Sequence, residues 1–115
     1  MKSPILTAAL VLAAAPAIAQ PSGQTVYAGY CQACHQASGL GTKPIFPALA
    51  GDPFVTGAPG PVIDRVVNGK SSMPPFKGQL DDAQIAAAVS YIRSAWGNHA
   101  GPVTPAEVAA QDKAP

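Results

Sequence analysis

Two cysteines and a histidine stand close together in the stretch CQACH, Cys31 to His35. Cysteine pairs at this spacing occur as redox dithiols, in zinc sites and as attachment points for haem. Because residues i and i+3 of a helix share a face, Cys31 and Cys34 can both reach one edge of a flat haem and form thioethers. His35 follows directly and is placed to bind the iron. The motif therefore indicates one covalently attached haem c.

The two other chemistries fit this sequence less well. A redox dithiol of the thioredoxin kind needs its cysteines in a βαβ pattern, and the chain lacks sustained alternation of apolar and polar residues. A structural zinc site needs four ligands, and His99 is the one further candidate. Adjacent Cys34 and His35 would also be awkward ligands for a single tetrahedral ion.

A second iron ligand is indicated in the stretch SSMPPF, Ser71 to Phe76. Without Met1, Met73 is the sole methionine of the chain, and the two prolines after it stiffen its loop. The alternatives are a methionine that fills a gap in the core, or His99 as the ligand, although His99 is more typical of a surface histidine. We predict that His35 and Met73 bind the iron, a ligand pair that haem iron accepts.

An iron with both axial positions filled has no open site for substrate, which favours the transfer of single electrons. The alternative function is a haem enzyme or a gas or ligand sensor in which Met73 is loosely held and leaves the iron five-coordinate. The predicted walls of the haem pocket are apolar: Phe46, Leu49, Val66, Phe76, Leu80, Ile85, Val89 and Ile92.

The N-terminal residues resemble an export signal. A positive start at Lys2 precedes an apolar run from Ile5 to Ala15, and Ala17-Ile18-Ala19 matches a signal-peptidase site. The run is shorter than the roughly 20 residues that span a bilayer. We expect residues 1–19 to be cleaved after Ala19, which leaves residues 20–115 as a single periplasmic domain without a transmembrane segment.

The charge of that domain favours no nucleic-acid partner. The whole chain has seven basic and six acidic side chains, and loss of Lys2 leaves six of each. No basic or acidic run is present that would indicate a polyanionic or polycationic partner.

The periodicity of apolar residues predicts an all-α fold. One helix begins after Ser22, and residues 61–67 form another that ends at Gly69. Residues 37–60, rich in glycine and proline, are predicted as irregular loop. The longest helix begins at Asp81, which has Gln84 as a capping-box partner, and ends at Gly97. Its apolar face comprises Ile85, Ala88, Val89, Ile92 and Trp96, and a last helix is predicted after Thr104, with Pro105 and Glu107 in its first turn.

The chain resembles the class I cytochromes c over nearly all of residues 20–115. The likeness rests on Gly23 and Tyr27 ahead of the CQACH motif, and on the stretches FPALAG, NGKSSMPPF and LDDAQIAAAVSYIRSAW. It implies the cytochrome c fold, in which three to five short helices wrap around one covalently bound haem. It also implies that the carbonyl of Pro47 accepts a hydrogen bond from His35, and that Gly23 allows close contact with the longest helix near Tyr91.

The stretches IRSAWGN and VTPAEV are similar to single-haem domains in cytochrome subunits of bacterial periplasmic dehydrogenases, including alcohol and gluconate dehydrogenases. Those subunits carry several C-x-x-C-H motifs, whereas this chain has one. The resemblance implies an electron carrier rather than an enzyme, either a monomer or a docked subunit. Its donor would be a dehydrogenase and its acceptor a terminal oxidase or another cytochrome. Lys43, Lys70 and Lys77 either rim the haem edge and steer an acidic partner or are ordinary surface lysines.

Overall fold

The computed structural model describes residues 1–11 and 21–113, and within these ranges the chain is helical, with no strand. The predicted cleavage site at Ala17 to Ala19 lies outside the described residues. The all-α fold is confirmed, with six helical segments instead of three to five. They are α1 Gly23–Tyr30, α2 Gln32–His35, α3 Pro53–Thr56, α4 Pro59–Asn68, α5 Asp82–Ser94 and α6 Pro105–Gln111. None of them is long and apolar enough to cross a lipid bilayer.

Three of the four predicted helix starts are confirmed, and each of these three has a side-chain cap. The exception is α4, which begins at Pro59, two residues before the predicted start, and has no side-chain cap. Ser22 Oγ accepts a hydrogen bond from the backbone N–H of Thr25 at 3.3 Å. Asp81 and Gln84 form a reciprocal capping box, with bonds of 2.8 and 2.9 Å. Thr104 caps α6 in the same way, with Glu107 as its partner. These caps satisfy backbone donors that a helix cannot satisfy itself, so the sequence alone locates these helix starts.

The prediction of irregular loop over residues 37–60 is wrong at its C-terminal end, because α3 and the first residues of α4 lie there. Asp52 begins α3, since its carboxylate accepts a bond from the N–H of Phe54 at 3.0 Å. Pro53 and Pro59 occupy the first positions of their helices. A missing N–H has no cost at that position, so these prolines start helices instead of breaking them.

The longest helix, α5, ends earlier than predicted, at Ser94 instead of Gly97. Trp96 has a φ of 55° and lies off the helix, and its indole N–H donates to the carbonyl of Ala37 at 2.8 Å. The buried side chain of Asn98 turns back and donates to the carbonyl of Ile92 at 2.9 Å. A tertiary contact to Trp96 and a side-chain bond to the last turn therefore override the apolar periodicity.

Helices α1 and α5 cross in direct backbone contact. A Cβ atom at Gly23 would lie 2.1 Å from the carbonyl oxygen of Ala87 and 2.8 Å from Cβ of Tyr91. The close approach that the resemblance implies at Gly23 is therefore confirmed. The rings of Tyr27, Tyr91 and Trp96 pack beside this crossing, with centroids 5.1 to 5.6 Å apart.

Helices α4, α5 and α6 complete the core. Helix α6 packs against both α4 and α5, and its Val108 is fully buried. The largest side chains with almost no exposure are Tyr27, Val55, Ile63, Val67, Ile85, Val89 and Val108. They come from every helix except α2, so the core joins all of the elements that surround the CQACH segment.

The crossing of α1 and α5 predicts opposite effects for two substitutions in one helix. Gly23→Ala introduces a methyl group that clashes with backbone, so we expect it to lower the free energy of unfolding by about 1–3 kcal/mol. Gly29→Ala is the matched control, since nothing lies within 4 Å of a Cβ there. It should leave stability unchanged or raise it by up to about 1 kcal/mol. Urea denaturation of the two purified proteins measures the difference, and equal stabilities would contradict the tight crossing.

Candidate haem site

The four side chains that the sequence singled out line one cavity. Its volume is about 340 Å³, within the range of about 300–1,000 Å³ typical of ligand sites. Cys31, Cys34, His35 and Met73 all contribute to its wall. A second concavity, of about 540 Å³, lies on the outer side of α1 and α5; it is more open, and its lining contains no cysteine, histidine or methionine. The chemistry is therefore concentrated in the smaller cavity.

The two cysteines lie three residues apart, within about one turn of nearly continuous helix. Cys31 joins α1 to α2, and its carbonyl accepts bonds from the N–H groups of Cys34 and His35 at 3.2 and 3.0 Å. Burial, together with the neighbouring Cys34 thiol, raises the pKa of the Cys31 thiol to about 11. Reactive redox cysteines have lowered pKa values, so the site does not activate Cys31 as a redox thiolate.

The ring of His35 is fixed by one hydrogen bond. His35 is buried, and its Nδ1 lies 3.0 Å from the carbonyl oxygen of Pro47. A carbonyl can only accept, so Nδ1 carries the proton and donates it. The tautomer that results leaves the lone pair of Nε2 available for a metal, and a bond of this kind raises the basicity of the ligand nitrogen.

The position of Pro47 follows from a tight turn after the motif. Gly39 accepts bonds from the N–H groups of Leu49 and Ala50, at 2.6 and 3.0 Å, while Gly41 donates to the carbonyl of His35 at 3.0 Å. Gly41 has a φ of 64°, and a Cβ there would lie 2.5 Å from the carbonyl oxygen of Pro47. Only glycine fits so close to this backbone, and the approach brings the Pro47 carbonyl to the histidine.

Aromatic side chains hold the start of the same turn. The hydroxyl of Tyr27 donates to the carbonyl of Gln36 at 2.6 Å, and Trp96 donates to the next carbonyl, that of Ala37. Burial raises the pKa of the Tyr27 hydroxyl, which therefore stays protonated and remains a donor. The backbone that follows His35 is thus tied to α1 and to the chain beyond α5.

Met73 is presented by a short closed loop. Lys70 and Met73 exchange two backbone hydrogen bonds, each 3.0 Å long. Gly69 ends α4 with a φ of 71°, and a Cβ there would lie 2.6 Å from the carbonyl oxygen of Met73. Met73 itself is half-buried and packs against the core. The sulfur is therefore carried on a constrained backbone at the wall of the cavity.

Helix α3 forms another part of the wall and is anchored by an arginine that the sequence did not single out. Arg93 is buried and donates to the carbonyls of Val55, Gly57 and Gly101 at 2.8 to 2.9 Å. These bonds satisfy most of the guanidinium donors without a carboxylate. The sequence gives no local signal for this role, since Arg93 and Val55 are far apart along the chain.

Most of the remaining wall is apolar. Five of the eight predicted pocket residues line the cavity, whereas Leu80, Ile85 and Val89 belong to the core and do not reach it. Arg65 was missed, and its guanidinium lies 4.7 Å from the ring centroid of Phe54 at the cavity wall. Val62, three residues earlier on the same helix, also lines the cavity but was not among the predicted lining residues, so its spacing from Arg65 could not serve as a signal. The lining residues that were predicted are Phe46, Leu49, Val66, Phe76 and Ile92.

The three lysines proposed as a rim occupy different environments. Lys70 lines the cavity and is exposed, and Lys43 is exposed outside the lining. Lys77 instead lies 3.7 Å from the carboxylate of Asp112 and donates to the backbone of the same segment. His99, the alternative ligand, is exposed and is not among the lining residues. A continuous basic rim is not formed by these side chains.

The donor set of the cavity fits a covalently bound haem. Two thiols lie on one turn, a histidine nitrogen is free and correctly protonated on its other side, and a thioether belongs to the same wall. Soft sulfur and imidazole ligands suit haem iron, and the apolar lining suits the porphyrin ring.

Comparison with known proteins identifies the family. Residues 19–92 match the family model described as cytochrome C oxidase, cbb3-type, subunit III. The cytochrome c subunit of an alcohol dehydrogenase (quinone) from Gluconobacter oxydans is 35% identical over 103 residues, which cover 79% of this chain. The match covers 21% of that subunit, so the chain spans about a fifth of the length of this relative.

Two smaller relatives match over most of their length. Cytochrome c6 of Diacronema lutheri is 33% identical over 79 residues, which cover 66% of this chain and 95% of the relative. The crystal structure of cytochrome c6 from the diatom Phaeodactylum tricornutum superimposes with a TM-score of 0.53 at 30% identity, covering 64% of this chain and 90% of the other. The resemblance seen in the sequence is thereby confirmed, and the chain belongs to the class I c-type cytochromes, which carry electrons on a covalently bound haem.

Proposed function

We propose that this protein is a periplasmic monohaem cytochrome that passes single electrons from a dehydrogenase to an acceptor such as a terminal oxidase or another cytochrome. The observation that carries this proposal is the convergence of Cys31, Cys34, His35 and Met73 on one apolar cavity. An electron carrier needs a cofactor that stays attached and an iron without an open site, and these four side chains supply both.

The four side chains would hold the haem in two ways. Cys31 and Cys34 would form the two thioethers, each by addition of a thiol S–H across a vinyl group of the porphyrin. Nε2 of His35, oriented by the bond from Nδ1 to Pro47, and the sulfur of Met73 would ligate the iron. A neutral thioether combined with an imidazole shifts haem potentials in the positive direction.

The bound haem supplies an iron that alternates between ferrous and ferric states and so exchanges one electron. The protein's own contribution is the environment of that iron. The apolar side chains of the wall exclude water, which disfavours the more highly charged ferric state. Arg65 and Lys70 are the basic side chains at the wall, and a guanidinium is well suited to bind a haem carboxylate.

The proposed partners and location rest on similarity and on the N-terminal sequence. Relatives named as cytochrome c subunits of alcohol dehydrogenase and of gluconate 2-dehydrogenase favour a dehydrogenase as the electron donor. The resemblance of residues 1–19 to an export signal favours cleavage after Ala19 and a mature domain of residues 20–115 in the periplasm. Whether it diffuses freely or docks permanently, the same haem site serves the transfer.

Replacement of Met73 tests the sixth iron ligand. The parent protein should show the weak long-wavelength absorption band of a methionine sulfur bound to ferric haem, and its ferrous form should resist carbon monoxide. Met73→Ala should keep its covalent haem, lose that band, bind carbon monoxide readily and fall in midpoint potential, because the neutral sulfur that favours ferrous iron is gone. Absorption spectroscopy and a redox titration measure these changes.

His99→Ala is the matched control, because His99 is the other candidate ligand and is exposed. It should leave the band, the carbon monoxide resistance and the potential unchanged. If the parent lacks the band, and carbon monoxide binds readily to His99→Ala but not to Met73→Ala, the sixth position is assigned to histidine. Ready binding of carbon monoxide by the parent would instead favour the haem enzyme or sensor.

The cysteines are tested by the chemistry of haem attachment. In Cys31→Ala and in Cys34→Ala one thioether is lost, and each protein should retain its haem through the other. In the double variant, acidified organic solvent should extract the haem, whereas it should not extract it from the parent. Mass spectrometry of the intact chain reports the attachment directly. Extraction of haem from the parent would refute the covalent assignment.

A further inference from the structure

The loop that carries Met73 leaves the core at Asn68 and returns to it at Lys77, and both residues bind the same C-terminal segment. The side-chain amide of Asn68 donates to the carbonyl of Gln111 at 2.8 Å. The ammonium group of Lys77 donates to the carbonyl of Lys113 and lies 3.7 Å from the carboxylate of Asp112. Residues 111–113 therefore bridge the two ends of the loop; we refer to them as the C-terminal clamp.

One further residue joins the clamp to α4. Asp64 accepts a hydrogen bond from the Asn68 amide at 2.8 Å and lies 2.9 Å from the ammonium group of Lys113. These two hydrogen bonds, with that to Lys113 the larger effect, lower the pKa of the Asp64 carboxyl. The carboxylate is therefore charged at neutral pH, although an exposed ion pair of this kind contributes little by itself. The hydrogen bond from Asn68 to the Asp64 carboxylate orients the Asn68 amide toward Gln111.

The loop transmits the position of its ends to Met73. At its base, Phe76 and Lys77 donate to the carbonyls of Val66 and Val67 at 3.0 and 3.2 Å. At its tip, Lys70 and Met73 close a two-bond ring. Between these two parts the backbone at Gly69 lies close to residues 73–75, since a Cβ there would lie 2.6 Å from the carbonyl oxygen of Met73 and 2.7 Å from the nitrogen of Pro75. We therefore expect a shift at the ends of the loop to be passed on to Met73.

The clamp lies beyond the part of the chain that the family model matches, which ends at Ile92. Helix α6 holds it in place, because Val108 is fully buried and α6 packs on both α4 and α5. The contact between the clamp and the methionine loop is therefore made by a segment outside the matched region.

We propose that the C-terminal clamp, through Asn68 and Lys77, is a positioning device that keeps the sulfur of Met73 at the iron. The proposal rests on Met73 as the sixth ligand, as proposed above. When the clamp is broken, the loop opens more often and the sulfur leaves the iron for a larger fraction of the time. The bond between the sulfur and the iron can still form. Breaking the clamp therefore weakens this bond and does not change the identity of the ligand.

The test uses the haem-loaded protein and the rate at which carbon monoxide binds its ferrous form. Asn68→Ala and Lys77→Met each remove a hydrogen bond to the clamp, and each should raise that rate about fivefold, the effect of one typical hydrogen bond. Both should also weaken the long-wavelength band of the ferric protein without abolishing it. Lys77→Arg retains the charge and the donors, so it should restore the parent behaviour.

Two controls separate positioning from charge and from general stability. Lys43→Met removes an exposed lysine outside the cavity wall, so it should leave the rate and the band unchanged. Thr104→Ala removes the cap at the far end of α6, which lowers stability without touching the clamp. If Thr104→Ala raised the rate as much as Asn68→Ala, the effect would be general destabilisation and the proposal would be wrong.

The parent protein distinguishes the two proposals. If the parent shows the methionine band and resists carbon monoxide, but Asn68→Ala and Lys77→Met behave like the parent, the clamp has no positioning role while Met73 remains the ligand. If the parent lacks the band and binds carbon monoxide readily, Met73 is not the ligand, and both proposals fail together.

Discussion

The hydrogen bond from Nδ1 of His35 to the carbonyl of Pro47 is the interaction on which the arrangement of the site depends. It sets the tautomer of the imidazole and the direction in which Nε2 points. A backbone carbonyl cannot reach the ring by a change of side-chain rotamer, so the fold must place the peptide group of Pro47 beside His35. The turn through Gly39 and Gly41, with the bonds from Tyr27 and Trp96 to the carbonyls of Gln36 and Ala37, achieves this. These contacts together place the carbonyl oxygen of Pro47 beside the ring of His35.

The local features of this chain could be predicted from its sequence because they depend on neighbouring residues. Short-range geometry sets the capping boxes at Asp81 and Thr104 and the end of α4 at Gly69. It also places Cys31 and Cys34 on one face of a helix. Pro53 and Pro59 show the limit of such reasoning. A proline predicted as a loop residue is equally compatible with the first position of a helix. Asp52 supplies a capping side chain before Pro53, whereas Ala58 supplies none before Pro59.

The features that the sequence did not reveal are tertiary. Arg93 was not predicted as a buried residue, because its partners are carbonyls far along the chain and carbonyls carry no sequence signature. Trp96 fitted the helical periodicity of α5, yet it leaves the helix to bond with Ala37. Lys77 was expected at the rim of the haem edge, but its ammonium group instead contacts Asp112 and Lys113, near the C-terminus of the chain. In each case a long-range hydrogen bond outweighed the local pattern.

The contact of Gly23 with Ala87 has a consequence for how the domain assembles. It joins the first helix to the longest one, so the cysteine motif, the turn and the methionine loop all lie within the single large ring of chain that this contact closes. The entropy lost on closing such a ring grows only with the logarithm of its length. Insertions between the two helices therefore cost little in this respect, whereas a side chain at the junction weakens the contact that closes the ring. One fold can therefore accept segments of different length inside the ring, as long as the close backbone contact at the junction is kept.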